Sequence, residues 1–274
     1  MRSSSPPRTE RPLSMQPRLG PMLHLLSFPL LAFIILPLAA LFLRTNPRNL
    51  VADLQQPQVI QAIGLSLFTT LMATLITVLF GTPLAYALAR RYFRNQRVID
   101  TLIDLPTVLP PAVAGVALLV AFGRRGILGG LLGALHIDLA FTTTAVILAQ
   151  TFIAAPFYVK AAVLGFSGID PELEQAAGLD GANSWQIFRY VIVPLSWTAL
   201  LSGSVMTWAR ALGEFGATII FAGNFPGRTQ TMPLAIYIGF ELNLDVALTL
   251  SVILIGFSFL ALMLVKGVFG REVL

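Results

Sequence analysis

GLSLFTTLMATLITVLFGTPLAYAL, Gly64 to Leu88, contains no Asp, Glu, Lys or Arg. As a helix rising 1.5 Å per residue it would be roughly 37 Å long, enough to cross the roughly 30 Å hydrocarbon layer of a bilayer. Nothing in the run needs shelter from lipid, so it reads as a membrane-crossing helix. Arg90, Arg91, Arg94 and Arg97 stop it on one side. The polar segment Gln55-Gln56-Pro57-Gln58 stands outside it on the other.

Upstream, Met22 to Leu43 is a second uncharged run. It is longer than a signal-peptide core and has no clear small-x-small cleavage site, so a retained helix is expected. Residues 1–21, rich in Arg, Ser and Pro, cannot bury enough apolar surface to offset the entropy of ordering and are expected to form a disordered basic tail. Downstream, spans are expected at about 105–123, 139–166, 191–214 and 246–265. The third holds Pro106, Pro110 and Pro111, which remove backbone donors and disfavour a regular helix ahead of them. The Gly-rich segment between Gly123 and Leu139 reads as an external loop with a short amphipathic helix. Phe215 to Gly227 reads as a helix end plus an external or re-entrant turn, and 228–245 as mixed. The expectation is an all-α integral membrane protein with six transmembrane helices: 22–43, then a core over 55–270 with a polar loop at 167–194.

Composition agrees. With 56% hydrophobic residues, 11% charged residues and a mean hydropathy of +0.80, the chain is too apolar for an ordinary soluble domain. A net charge of +5 could suggest nucleic acid, yet the basic residues are nearly all Arg placed between apolar runs, as topology signals are. Twelve of the eighteen fall on the side of both termini and the loop after Leu88, and five on the other. The richer side is expected to be cytoplasmic. Arg210 is the remaining one, inside a span. With no cysteine there is no disulfide, thiolate metal site or Cys nucleophile, and His24 and His136 alone do not suggest a metal site.

The longest polar interval inside the membrane portion, after Ser167, reads as helix, turn, helix. Asp170 suits an N-cap, Pro171 the first helical position, and Glu172 and Glu174 a first turn that favours anions. Gly178-Leu179-Asp180-Gly181 breaks that helix, and Asn183 or Ser184 can cap a second. Ala176 and Ala177 beside Leu173 offer a small-residue face that a partner could approach closely. The plainer possibility is a loop packed on its own membrane domain.

The stretch EQAAGLDGANSWQIFRYVIVP, Glu174 to Pro194, resembles the Glu-Ala-Ala loop of permease subunits of ABC importers. That pattern is Glu-Ala-Ala, a Gly after three intervening residues, then an aliphatic-x-aliphatic-Pro element after nine more. Its Glu falls on Gln175, with Glu174 as a neighbouring carboxylate. Its alanines fall on Ala176 and Ala177, its Gly on Gly181, its aliphatics on Val191 and Val193, and its Pro on Pro194. The resemblance implies a coupling helix seated in a separate ATPase subunit. The chain has no GxxxxGK[ST] loop of its own, so ATP would be bound by that partner and no cofactor by this chain.

A second stretch, Trp208 to Tyr237, carries Arg210 and Glu214 at i, i+4, where they share one helix face and can neutralise each other. They form either a structural ion pair locking the fifth span or a source of positive potential on an anion path. The core Arg210 to Gly216 is similar to oxyanion permeases generally, and Ala222 to Tyr237 to molybdate permeases in particular, sulfate and tungstate permeases being near relatives. The implied assembly is a homodimer of this subunit on two ATPase subunits, with an extracytoplasmic oxyanion-binding protein, in the cytoplasmic membrane of a prokaryote. Pro110 and Pro111 suggest a local break that could bend in a gate; the Gly and Ala residues elsewhere in the spans suit close helix packing. An intramembrane enzyme is disfavoured, because there is no HExxH, no facing Asp pair and no His placed to activate a Ser. A secondary carrier or channel would show no need for the 174–194 element, and no internal repeat is evident.

Overall fold

A computed structural model describes the backbone of residues 20–269 and the side chains of residues 26–46 and 50–267. The expected tail 1–21, apart from its last two residues, lies outside the described residues, as do the side chain of His24 and all of Arg271. The regular secondary structure of the described residues is helical, with no strand among them. α1 (Gly20–Arg44) contains Pro29 and Pro37 and belongs to a separate unit ending at Arg44. None of its described side chains is buried.

The second unit starts at Thr45. It runs α2 (Pro47–Asp53), α3 (Pro57–Ala89), α4 (Gln96–Val108), α5 (Pro111–Phe122), α6 (Gly129–Ala134), α7 (Thr143–Ser167), α8 (Pro171–Leu179) and α9 (Ser184–Ile187). A π-helical turn (Phe188–Ile192) leads into α10 (Val193–Leu195), followed by α11 (Trp197–Leu212), α12 (Gly216–Ala222), α13 (Met232–Leu242) and α14 (Leu244–Phe269). Among the described residues, α1, α3, α7 and α14 are long and apolar enough to cross a membrane. Two bent pairs, α4 with α5 and α9–α10 with α11, bring the number to six if each pair is one passage.

α3 starts at Pro57, ahead of the expected Gly64, because Pro at the first helical position supplies helical φ where no donor is required. In place of one span over 105–123, α4 and α5 meet at 116°. Leu109 and Pro110 between them are extended, with ψ of 137° and 132°. The fifth passage bends by 72° at Ser196. The segment 228–245 contains the apolar helix α13, whose Met232 N–H donates to Ser66 Oγ of α3 at 2.7 Å.

α3 and α7 run parallel, since Thr82 Oγ1 lies 2.6 Å from the Tyr158 hydroxyl and Arg90 further along meets Glu174 beyond α7. α11 runs antiparallel to α7. Ala199 packs against Gly165, Gly203 against Ala161, and the Thr207 hydroxyl donates to the Ala154 carbonyl at 3.3 Å. A Cβ on Gly203 would sit 2.8 Å from that of Ala161, so only glycine lets these helices approach so closely. α14 is antiparallel to α11, with Trp208 edge-on to Phe257 and Leu212 clustered with Leu250.

The amphipathic pattern of a soluble helix is reversed. Along α3 the buried stripe is small or hydroxylated: Ser66, Thr70, Ala73, Thr77, Gly81 and Ala85. The exposed stripe is Phe68, Leu71, Leu75 and Leu79. In lipid, large apolar groups gain nothing by hiding, so small residues take the helix contacts and large ones meet the acyl chains. The buried threonine hydroxyls are satisfied within the helix. Those of Thr70, Thr74 and Thr77 donate to carbonyls one turn back at 2.7–2.8 Å.

Candidate functional site

α8 is a nine-residue helix with no buried residue. Asp170 caps it, accepting from the Glu172 N–H at 2.9 Å, and Pro171 occupies the first helical position. Gln175 and Ala176 are exposed, Ala177 is half-buried, and Leu179 is 90% exposed. The helix ends where Gly181 takes φ of +90°. There the Ala182 N–H reaches the Ala177 carbonyl at 3.0 Å and the Gly181 N–H the Gly178 carbonyl at 3.1 Å, the paired bonds of a left-handed helix stop. Nothing lies within 4 Å of a Cβ at Gly181, so glycine is needed there for backbone conformation and not for space. Asn183 and Gln186 form a reciprocal capping box at the start of α9.

Pro194 stands at the root of this arm, exposed on α10. Lacking an N–H, it cannot bond back to Tyr190. The chain ahead of it widens into the π turn, where the Val193 N–H bonds to the Phe188 carbonyl five residues back. Glu174, Gln175, Ala176 and Ala177 therefore share one small helix, Gly181 closes it, and Pro194 sits where it joins the membrane core. The side chain that ties the arm to that core is Arg90, at the end of α3. It forms an ion pair with Glu174 and lies 5.7 Å over the Tyr86 ring. Sequence reasoning counted Arg90 as a topology signal only. Its partner is 84 residues away, and no local spacing connects them.

Glu214 is 1% exposed. One carboxylate oxygen lies 2.8 Å from an Arg210 guanidinium nitrogen and the other accepts the Ala217 N–H at 2.9 Å. The pair expected from the i, i+4 spacing is thus present, and Glu214 also satisfies the first turn of α12. Pro111 comes to the same place. A Cβ on Gly216 would stand 2.6 Å from the Pro111 Cβ, so the double-proline break packs on the segment that follows Glu214. Pro110 is exposed and forms the break itself. Also missed in the sequence was Lys160 of α7, 2.6 Å from Asp100 and 2.9 Å from Asp104 of α4. The i, i+4 spacing of the two aspartates was the available signal. Among the described residues no cluster of three or more His, Cys, Asp or Glu could hold a metal.

Residues 78–267 match the family model of the binding-protein-dependent transport system inner membrane component. The chain is 40% identical over 241 residues to the molybdenum transport system permease protein ModB of Mycobacterium tuberculosis, covering 88% of this chain and 90% of that protein. It is 34% identical over 245 residues to the molybdate/tungstate transport system permease protein WtpB of Thermococcus kodakarensis, covering 89% and 93%. Among solved structures, a bacterial alginate ABC transporter in complex with its alginate pentasaccharide-bound periplasmic protein shares the fold at a TM-score of 0.68 and 18% identity. That match covers 91% of this chain and 92% of the other. With its helical membrane architecture, its protruding α8 and a family match spanning most of its length, this chain belongs to the inner-membrane permease subunits of binding-protein-dependent ABC transporters.

Proposed function

We propose that this permease passes molybdate into a prokaryotic cell across the cytoplasmic membrane. It would work as a homodimer on two ATPase subunits, supplied by an extracytoplasmic oxyanion-binding protein, with both termini and α8 inside. The observation that carries the reading is α8 itself: a capped helix with no buried residue, pinned at its base by Arg90–Glu174 and the Gly181 stop. A short capped helix that exposes Leu173, Ala176 and Leu179 is shaped to enter a partner's groove. Ala176 and Ala177 allow backbone-close contact there.

In this mechanism the permease breaks no covalent bond. ATP bound by the partner closes the two ATPase subunits, the α8 helices are drawn together, and the motion passes through Arg90 to α3 and through Pro194 to α11. The cavity between subunits opens outward, receives the anion, and releases it inward after hydrolysis. Arg210 and Glu214 lock α11 to α12; a neutralised pair exerts little net field on a passing dianion.

The molybdate assignment draws on the named relatives. Tungstate is a second reading, since one relative's name includes it and the two anions share geometry and charge. The test is radiolabelled uptake in cells with and without this subunit. Deletion is expected to abolish molybdate entry and spare sulfate entry; the reverse pattern overturns the assignment. For coupling, Ala177→Asp is expected to abolish uptake and co-purification of the ATPase while the permease still inserts. Unchanged uptake would remove α8 from the mechanism.

A further inference from the structure

The corner between α3 and α4 holds a feature that transport coupling does not use. Arg91, Arg94 and Arg97 line one cleft of about 610 Å³ together with Asn95, Gln96 and Asp100. All three arginines are exposed, and none of them forms an ion pair among the described residues. Asp100, the one acid in the cleft, is held by Lys160 at 2.6 Å. The cleft therefore keeps a local excess of positive charge.

The corner is built, not frayed. The Tyr92 N–H bonds to the Ala87 carbonyl and the Arg91 N–H to the Leu88 carbonyl, while the Gln96 amide donates to the Leu88 carbonyl at 2.9 Å. This helix stop places Arg91 at φ of +56°, a conformation that glycine adopts far more readily. The chain thus carries a cation where the backbone would favour glycine.

Beyond the cleft, Val98, Leu102, Leu105 and Val108 form an exposed apolar ridge on α4, while Ile99, Ile103 and Pro106 face inward. α4 is bent 116° from α5, so with α5 upright in the bilayer α4 runs near the membrane plane. An amphipathic helix there, with a basic pocket at its start, matches a lipid's own layout of anionic head and apolar tail.

We propose that the α3–α4 corner binds an anionic phospholipid. Arg91, Arg94 and Arg97 hold the headgroup phosphate, and the acyl chains lie along Val98, Leu102 and Leu105. The inference needs only the membrane location, not the identity of the transported anion.

The test is native mass spectrometry of the detergent-solubilised full chain with phosphatidylglycerol, phosphatidylcholine or inorganic phosphate added. Phosphatidylglycerol is expected to stay bound in preference to phosphatidylcholine. At about fivefold per arginine, the combined Arg91→Gly, Arg94→Gln and Arg97→Gln variant should lose on the order of a hundredfold in retention. Arg91→Gly alone removes the charge while relieving the backbone, so it should lose about fivefold with thermal stability unchanged or raised. The Arg→Lys triple variant should retain preference for phosphatidylglycerol, and Leu102→Ser should weaken the lipid specifically. Equal retention of phosphatidylglycerol by wild type and the charge-removed variants would overturn the proposal. So would inorganic phosphate displacing the lipid at equal concentration, which would mark a soluble-anion site. Should the triple variant fail to fold, Arg91→Gly decides alone.

Discussion

The α8 arm and the Arg210–Glu214 junction each place carboxylates beside a helix start, and they use them in opposite ways. On α8, Asp170 caps an exposed helix from the water side, and Glu174, half-buried, turns inward to Arg90, so the rest of the helix face stays free. At the junction Glu214 is buried, with one oxygen on Arg210 and the other on the α12 backbone. A carboxylate at a water-facing helix start orients a surface, whereas one inside the membrane core must be fully satisfied and so becomes a fastener.

Substitutions can break this contrast, and the largest effect on stability belongs to the junction. Glu214→Ala leaves Arg210 unpaired and α12 uncapped, and is expected to cost about 3–5 kcal/mol, read as loss of folded, monodisperse protein in detergent. A loss as small as that of a surface substitution would show that the pair fastens nothing. Next comes the α7–α11 crossing. Gly203→Leu forces a side chain where Ala161 already stands and should cost about 1–3 kcal/mol, measured by thermal unfolding.

Moving to the arm, Gly181→Ala meets no neighbour but must hold φ near +90°. It should cost about 1–2 kcal/mol locally and reduce transport-linked ATPase activity more than it lowers the unfolding temperature. Smallest in stability is Ala176→Asp on the exposed face of α8, expected within about 0.5 kcal/mol of wild type and yet abolishing uptake. If Ala176→Asp unfolded the protein instead, the arm would be packed like the junction and the contrast would collapse.

Much of this was legible along the chain because its signals are local. Uncharged runs longer than a bilayer mark spans, Asp170-Pro171 and Gly181 mark the ends of α8, and i, i+4 spacing marks the Arg210–Glu214 pair. The third passage was legible only as a disturbance. Three prolines announce irregular backbone, but proline sets the local φ and not the 116° direction taken after the break. The apolar helix α13 was read as mixed because the hydropathy of 228–245 averages polar turn residues with it. Arg90 and Lys160 were tallied for topology and turned out to hold helices together.

Taken alone, the sequence determined that the chain enters a membrane, where the helix ends near α8 fall, and which family it resembles, since each depends on residues within a few turns of one another. Only the tertiary structure decided that Arg90 meets Glu174 across 84 residues, that Pro111 packs on Gly216, and that Lys160 bridges to Asp100 and Asp104. Those contacts depend on how helices separated in sequence are brought side by side. In lipid that is settled by the fit of small residues such as Gly203 at helix crossings, a property of two surfaces at once that no single stretch of chain contains.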